Sequence, residues 1–181
     1  MTVLRPIAVF CSMIAIAAPA AAQVAPAAAQ VKPSPIIEVA GGASGFVDEV
    51  WDFFTTVGAG VRIFLTPRVA VGPEALYMIG ADETSNLTLT ANVTFDLLSG
   101  DAPRKLMPYI AAGGGYLRQR TLVGGGPGST SLEPFVATDA TVSGGAGVRI
   151  ALGDRVFIAP EFRMGFEPTT RITVSFGFRP R

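Results

Sequence analysis

Residues Gly58–Glu74 read GAGVRIFLTPRVAVGPE, and residues Gly145–Glu161 read GAGVRIALGDRVFIAPE. Superposed, the two stretches agree at 11 of 17 positions. Each is an alternating run, a short turn and a second alternating run, the pattern of a β-hairpin. In the first copy one face carries Ala59, Val61, Ile63, Leu65, Val69 and Val71, and the other carries Gly58, Gly60, Arg62, Ala70, Gly72 and Glu74. A soluble sandwich turns its apolar face inward and does not normally bury Arg and Glu opposite it. A barrel in lipid does the reverse, apolar outside and polar inside.

The turn fixes which residues meet. With Thr66-Pro67-Arg68 as a three-residue loop, Leu65 opposes Val69, Arg62 opposes Gly72, and Glu74 opposes Gly60. Arg62 and Glu74 then lie diagonally across the pair, within reach of long side chains. The same count sets Arg149 diagonal to Glu161, with Gly147 and Ala159 as small partners.

Working outward, 49% of the 181 residues are apolar, yet charged residues are spread along the chain. Outside the N-terminus no apolar run approaches the roughly 18 residues of a spanning helix. Hydrophobic composition without a hydrophobic helix points to strands. Net charge is +0 and there is no basic block, so nucleic acid is not an expected partner. Histidine is absent, which excludes an imidazole base or a His metal ligand. The one cysteine, Cys11, lies in the leader, and Phe10 before it fits no lipoprotein cleavage site. No catalytic residue, cofactor or metal site is expected.

Residues 1–22 have the layout of a cleavable signal peptide: Arg5, an apolar core from Ile7 to Ala18, then Ala20-Ala21-Ala22 before Gln23, with cleavage expected after Ala22. Residues 23–35 (QVAPAAAQVKPSP) form an Ala/Pro-rich tether. From Ile36 to the C-terminus, eight strand-like runs follow: about 36–46, 54–65, 69–79, 87–97, 106–119, 135–152, 156–166 and 171–178. An even number suits a bacterial single-chain barrel, and the lengths are near the roughly 9–11 residues that a tilted strand needs. The turns after the second, fourth and sixth runs read as short. The loops after the first, third and fifth read as longer, chiefly Val47–Asp52 and the Gly-rich Arg120–Pro134. The fifth run, with Ala111-Ala112-Gly113-Gly114-Gly115 at its centre, has no legible facing.

The expected inner face collects Glu38, Glu74, Asp96, Asp139 and Glu161 against Arg62, Arg149, Arg163 and Arg171, and an eight-stranded barrel is just wide enough for side chains to fill it. Placed on lipid, each Arg would cost roughly 2–4 kcal/mol at mid-membrane. These residues read as structural ion pairs of the lumen. Glu74 and Glu161 as an acid/base pair is the sharper reading, and the repeat, with an Arg beside each, favours the structural one. Pro73 and Pro160, inside strands, read as bulges because each removes a ladder donor. Trp51, Tyr77 and Tyr116 near strand ends suit an interfacial girdle.

The signal peptide, the GAGVRI hairpins, the stretch Pro108-Tyr109-Ile110-Ala111-Ala112-Gly113-Gly114-Gly115-Tyr116 and the aromatic last strand together resemble the small outer-membrane β-barrel family, the OmpA/OmpX-like and opacity-like proteins. That resemblance implies an all-β, eight-stranded antiparallel up-and-down transmembrane β-barrel over residues 36–181, preceded by a cleavable signal peptide. It also implies a place in the bacterial outer membrane among lipid and lipopolysaccharide, and handling by the barrel-assembly machinery. One departure is that Arg179-Pro180-Arg181 follow Phe178, where such barrels usually end on an aromatic residue. The expected function is a structural or adhesin-like surface protein with an ion-paired lumen, meeting an extracellular partner through residues 47–52 and 120–134. The alternative is a narrow porin-like channel for small or hydrophobic solutes. Barrel enzymes of this kind resemble sites that use histidine, which argues against an enzyme. A soluble lipocalin-like carrier would need the opposite facing.

Overall fold

The structure is a computed structural model that describes residues 35–47, 51–81, 84–98, 105–124, 132–166 and 169–180. The expected signal peptide, its cleavage point and the tether lie outside these residues. Eight strands run in chain order: β1 (Ile36–Val47), β2 (Trp51–Phe64), β3 (Val69–Ile79), β4 (Ser85–Asp96), β5 (Leu106–Gly124), β6 (Leu132–Ala151), β7 (Val156–Gly165) and β8 (Thr169–Phe178). Each pairs antiparallel with its neighbour, and β8 closes on β1. The result is an up-and-down barrel with no free edge around its waist.

The alternation of residue types becomes an alternation of environment. On β4, Asn92, Thr94 and Asp96 are buried in the lumen, while Leu89, Val93 and Phe95 are exposed on the outer wall. On β8, Thr173 and Ser175 are buried and Ile172, Val174 and Phe176 stand outside. Apolar outside and polar inside is the inversion that lipid calls for. β5, whose facing the sequence leaves open, buries Tyr109, Ala111 and Leu117 and turns Ile110 and Tyr116 outward. Tyr77 also faces outward, while the side chain of Trp51 lies outside the described set.

The repeated hairpins fold in the register their turns dictate: Glu74 faces Gly60, and Glu161 faces Gly147. They carry no bulge, which corrects the expectation for Pro73 and Pro160. Gly60↔Glu74 and Ile63↔Val71 keep one register on either side of Pro73, and Gly147↔Glu161 and Ile150↔Ile158 do so around Pro160. The prolines interrupt pairing without shifting it. Each lacks the N–H that its neighbour's carbonyl would take, and each still pairs on its other side, Pro73 with Ala91 and Pro160 with Val174.

The loops differ more from expectation. Val47, Trp51 and Asp52 belong to β1 and β2, leaving 48–50 between them. Arg120–Gly124 and Leu132–Pro134 are paired strand, so the long Gly-rich loop shrinks to 125–131. The connection after β4, at 97–105, is longer than that, so short turns do not mark one end of the barrel. What distinguishes the ends is strand length: β5 and β6 have 19 and 20 residues against 10 for β7 and for β8.

The repeat also reaches beyond the hairpins. Arg62 and Arg149 share a place in it, and Ile36 and Met107 are their respective partners on β1 and β5. Phe95 and Phe178 likewise face the equivalent Val69 and Val156. The half β1–β4 therefore maps onto β5–β8 by an approximate two-fold along the barrel axis. The seams differ by two residues: Phe178 faces Ile37, whereas Phe95 faces Ile110 instead of Pro108, the residue equivalent to Ile37.

Candidate functional site

The lumen is where this fold concentrates its polar chemistry. Gly60 faces Glu38 on one side and Glu74 on the other, so both carboxylates lie diagonal to Arg62 across a residue with no side chain. Arg62 commits to the first. Its Nε donates to Glu38 Oε2 at 2.5 Å, while Nη2 stands 3.9 Å from Glu74 and 3.8 Å from Glu161. The expected Arg62–Glu74 contact is thus the long member of a wider set.

Glu161 is the hub of that set. Its Oε1 accepts from Arg163 Nε at 2.7 Å and from Arg171 Nη2 at 3.2 Å, and its Oε2 accepts from the Tyr109 hydroxyl at 2.9 Å. Arg171 Nη1 donates to Glu74 Oε1 at 2.8 Å, which ties β3 to β8 across the interior. Arg163, 2% exposed, also donates to Asn92 Oδ1 on β4. Three carboxylates and three guanidiniums from β1, β2, β3, β7 and β8 thereby form one network. Their charges cancel, which is the condition for burying them in number.

Arg149 does not join it. The diagonal expected to Glu161 is not made, and Arg149 Nη1 donates instead to Asp96 Oδ1, with Nη2 3.4 Å from Thr94 Oγ1. The cause is Tyr109. It faces Gly147, where an added Cβ would sit 2.6 Å from the ring, so the ring fills the space between Arg149 and Glu161. The Arg149 guanidinium lies 4.3 Å from the Tyr109 ring centroid, a cation–π stack that faces it away from Glu161. Asp139, also expected in the lumen, is exposed on β6 opposite Leu117 and outside the network.

Apolar side chains close both ends of this ionic layer. At one end Ile36, Tyr109, Phe157 and Phe64 pack together, and at the other Phe46, Phe54, Met78 and Leu117 do. Tyr109 and Asn92 are network members that pattern reading does not single out: one sits on the strand without legible facing, the other on a recognised polar face with no visible partner. A cavity of about 50 Å³, lined by hydroxyls of Ser44, Thr88, Thr90 and Ser143 together with Arg163 and Arg171, lies beside the second cluster. That is room for a few waters. Among the described residues no group of acidic or cysteine side chains is arranged to hold a metal.

A scan of protein-family models finds no match, and neither does a sequence search of curated proteins. Among solved structures the chain is similar to Neisserial surface protein A, with TM-score 0.61 and 12% identity over 81% of this chain and 97% of that one. It is similar to the N-terminal β-barrel domain of Pseudomonas aeruginosa OprF, with TM-score 0.55 and 15% identity over 81% and 98%. It is also similar to Ail, the attachment invasion locus protein of Yersinia pestis, with TM-score 0.50 and 12% identity over 80% and 95%. The chain has the fold of the small eight-stranded outer-membrane β-barrels.

Proposed function

We propose that this protein stands in a bacterial outer membrane with a closed lumen and works at the cell surface through the end of the barrel where β5 and β6 project. The observation that carries this reading is the lumen: neutral ion pairs buried on all sides, with apolar clusters above and below. Such an interior favours a rigid, filled barrel over an open aqueous channel. Function then falls to the parts a rigid scaffold holds out in solvent. The Yersinia neighbour is named for attachment and invasion, which accords with a surface role. No acid/base pair is free for catalysis in the network, because each carboxylate of the hub is held by a guanidinium.

Two measurements test this. In planar bilayers the refolded protein is expected to show no steady single-channel conductance, whereas the channel alternative requires one. Excising 121–135 and joining Arg120 to Val136, which face each other, through a two-residue turn trims the projection and leaves the barrel. Heat-modifiable migration is expected to persist while binding to cells or matrix falls. A trimmed barrel that binds cells like the parent overturns the surface reading.

A further inference from the structure

The two halves of the barrel differ at one position of their base. In the first half Asp96 N–H donates to the Arg68 carbonyl at 2.8 Å, one residue past the facing pair Val69 and Phe95. In the second half Arg179 N–H donates to the Arg155 carbonyl at 2.9 Å, one residue past Val156 and Phe178. Arg179 thus holds the place that Asp96 holds in the repeat. Asp96 turns into the lumen, pairs with Arg149 and leaves an acid opposite Arg68. The second half sets one arginine directly opposite another.

Like charges directly opposite destabilise a strand pair, and neither Arg155 nor Arg179 forms an ion pair with a described carboxylate. Arg179 leans on Phe64, 5.6 Å from the ring centroid, a ring that Arg149 already shares. The surroundings add to the excess. Exposed Arg68 and Lys105 stand at the same rim, where exposed Asp154 is the opposing acid among the described residues. The connection at 97–105 and the C-terminal segment add Arg104 and Arg181 against Asp101. At the far end, by contrast, Arg118 and Arg120 offset Glu133 and Asp139. Backbone bonds hold the basal cations in place. Leu152 N–H donates to the Val156 carbonyl at 2.9 Å and closes the turn that carries Arg155, and the Lys105 carbonyl accepts from Ala151 N–H at 2.8 Å.

We propose that Arg155 and Arg179, with Lys105 and Arg68 on the same rim, form a phosphate-binding site at the base of the barrel. Guanidiniums offer parallel N–H donors to the oxygens of a phosphate, and an oxyanion between the two converts their repulsion into charge-assisted contacts. The site lies remote from the β5–β6 projection and does not depend on the surface role. Leu106 and Phe178, next in sequence to Lys105 and Arg179, are exposed on the outer wall, which sets the rim at headgroup depth. The phosphate is therefore expected on an anionic phospholipid, and a free phosphate is the other source of the same chemistry.

For the test, the full chain is refolded in an uncharged maltoside detergent with equal amounts of phosphatidylglycerol and phosphatidylcholine, washed, and weighed by native mass spectrometry. Phosphatidylglycerol is expected to be retained at least about tenfold over phosphatidylcholine. Equilibrium dialysis against labelled inorganic phosphate, without lipid, examines the free source. Arg155→Gln and Arg179→Gln are each expected to weaken binding about tenfold. Arg155→Glu gives this half the opposed acid and base of the other, and is expected to abolish binding with heat-modifiability intact. Arg120→Gln removes an equal charge at the far end and is expected to change nothing. Binding that depends on Arg155 and Arg179 in either arm supports the site, and the arm in which it appears names the source. No selective retention and no phosphate bound, binding unchanged in the assembled variants, or an equal loss in Arg120→Gln overturns it. If one of the variants at Arg155 or Arg179 fails to assemble, those that do assemble decide by the same criterion.

Discussion

Glu161 shows how much rests on single side chains in a lumen this narrow. Its two oxygens accept from Arg163, Arg171 and Tyr109, so Glu161→Gln leaves two guanidiniums in the lumen short of charge. Removing one partner of a buried pair costs about 3–5 kcal/mol, and the detergent unfolding midpoint of Glu161→Gln is expected to fall accordingly. Removing a pair together should cost less than the two single losses combined. For Asp96→Asn with Arg149→Met, a coupling of about 1–3 kcal/mol is expected from a double-mutant cycle. Arg149→Met and Glu74→Gln, which share no contact, should add. Coupling of Arg149 to Glu74 that matched its coupling to Asp96 would contradict the observed partners. The residue scale is also where sequence reading met its limit. The charges destined for the lumen, Asp139 apart, were legible because a two-residue period and the cost of an Arg in lipid fix their side. Their partners were not. The diagonal was counted only within the repeated hairpins, whereas Glu38 meets Arg62 as the diagonal of the preceding β1–β2 pair, and Tyr109 interposes itself between Arg149 and Glu161.

At the scale of elements, most strands were legible to within a few residues because turn chemistry and alternation agreed. The exception was the β5–β6 hairpin, whose glycines and hydroxyls from Arg120 onward read as loop although the ladder continues to Gly124 and Leu132. Composition disfavours strand there, and pairing overrides it. Pairing also explains where aromatics and glycines meet. Phe157 faces Gly177 across β7 and β8, and its ring lies 2.0 Å from where a Cβ on Gly177 would be. Tyr109 on Gly147 is the same device. Gly177→Val is therefore expected to expel the ring and lower stability by about 1–3 kcal/mol. Gly41, with nothing within 4 Å of an added Cβ, serves as the control: Gly41→Ala should change the unfolding midpoint by no more than about 0.5 kcal/mol. Comparable losses at both positions would mean that strand propensity, not ring packing, sets the cost.

For the whole molecule, the approximate two-fold that relates β1–β4 to β5–β8 invites a cut in the connection at 97–105. Expressed as separate chains and refolded together, 36–98 and 105–181 are expected to reassemble into a heat-modifiable barrel, because every strand pair except the covalent link is retained. Failure of the mixed halves, with the intact chain refolding under the same conditions, would show that this connection is needed to set the register of β4 on β5. The two-fold holds for the backbone but not for the charges. The first half brings Glu38, Glu74 and Asp96 to the lumen against Arg62 alone, and the second brings Arg149, Arg163 and Arg171 against Glu161. Two first halves closed on each other would trap six carboxylates with two guanidiniums, and two second halves the reverse. The sequence repeat is what one expects of a tandem duplication. If so, the copies have since become plus and minus complements: each can complete a barrel only with the other, so chains assembling side by side in one membrane have no like-with-like half-barrels to fall into.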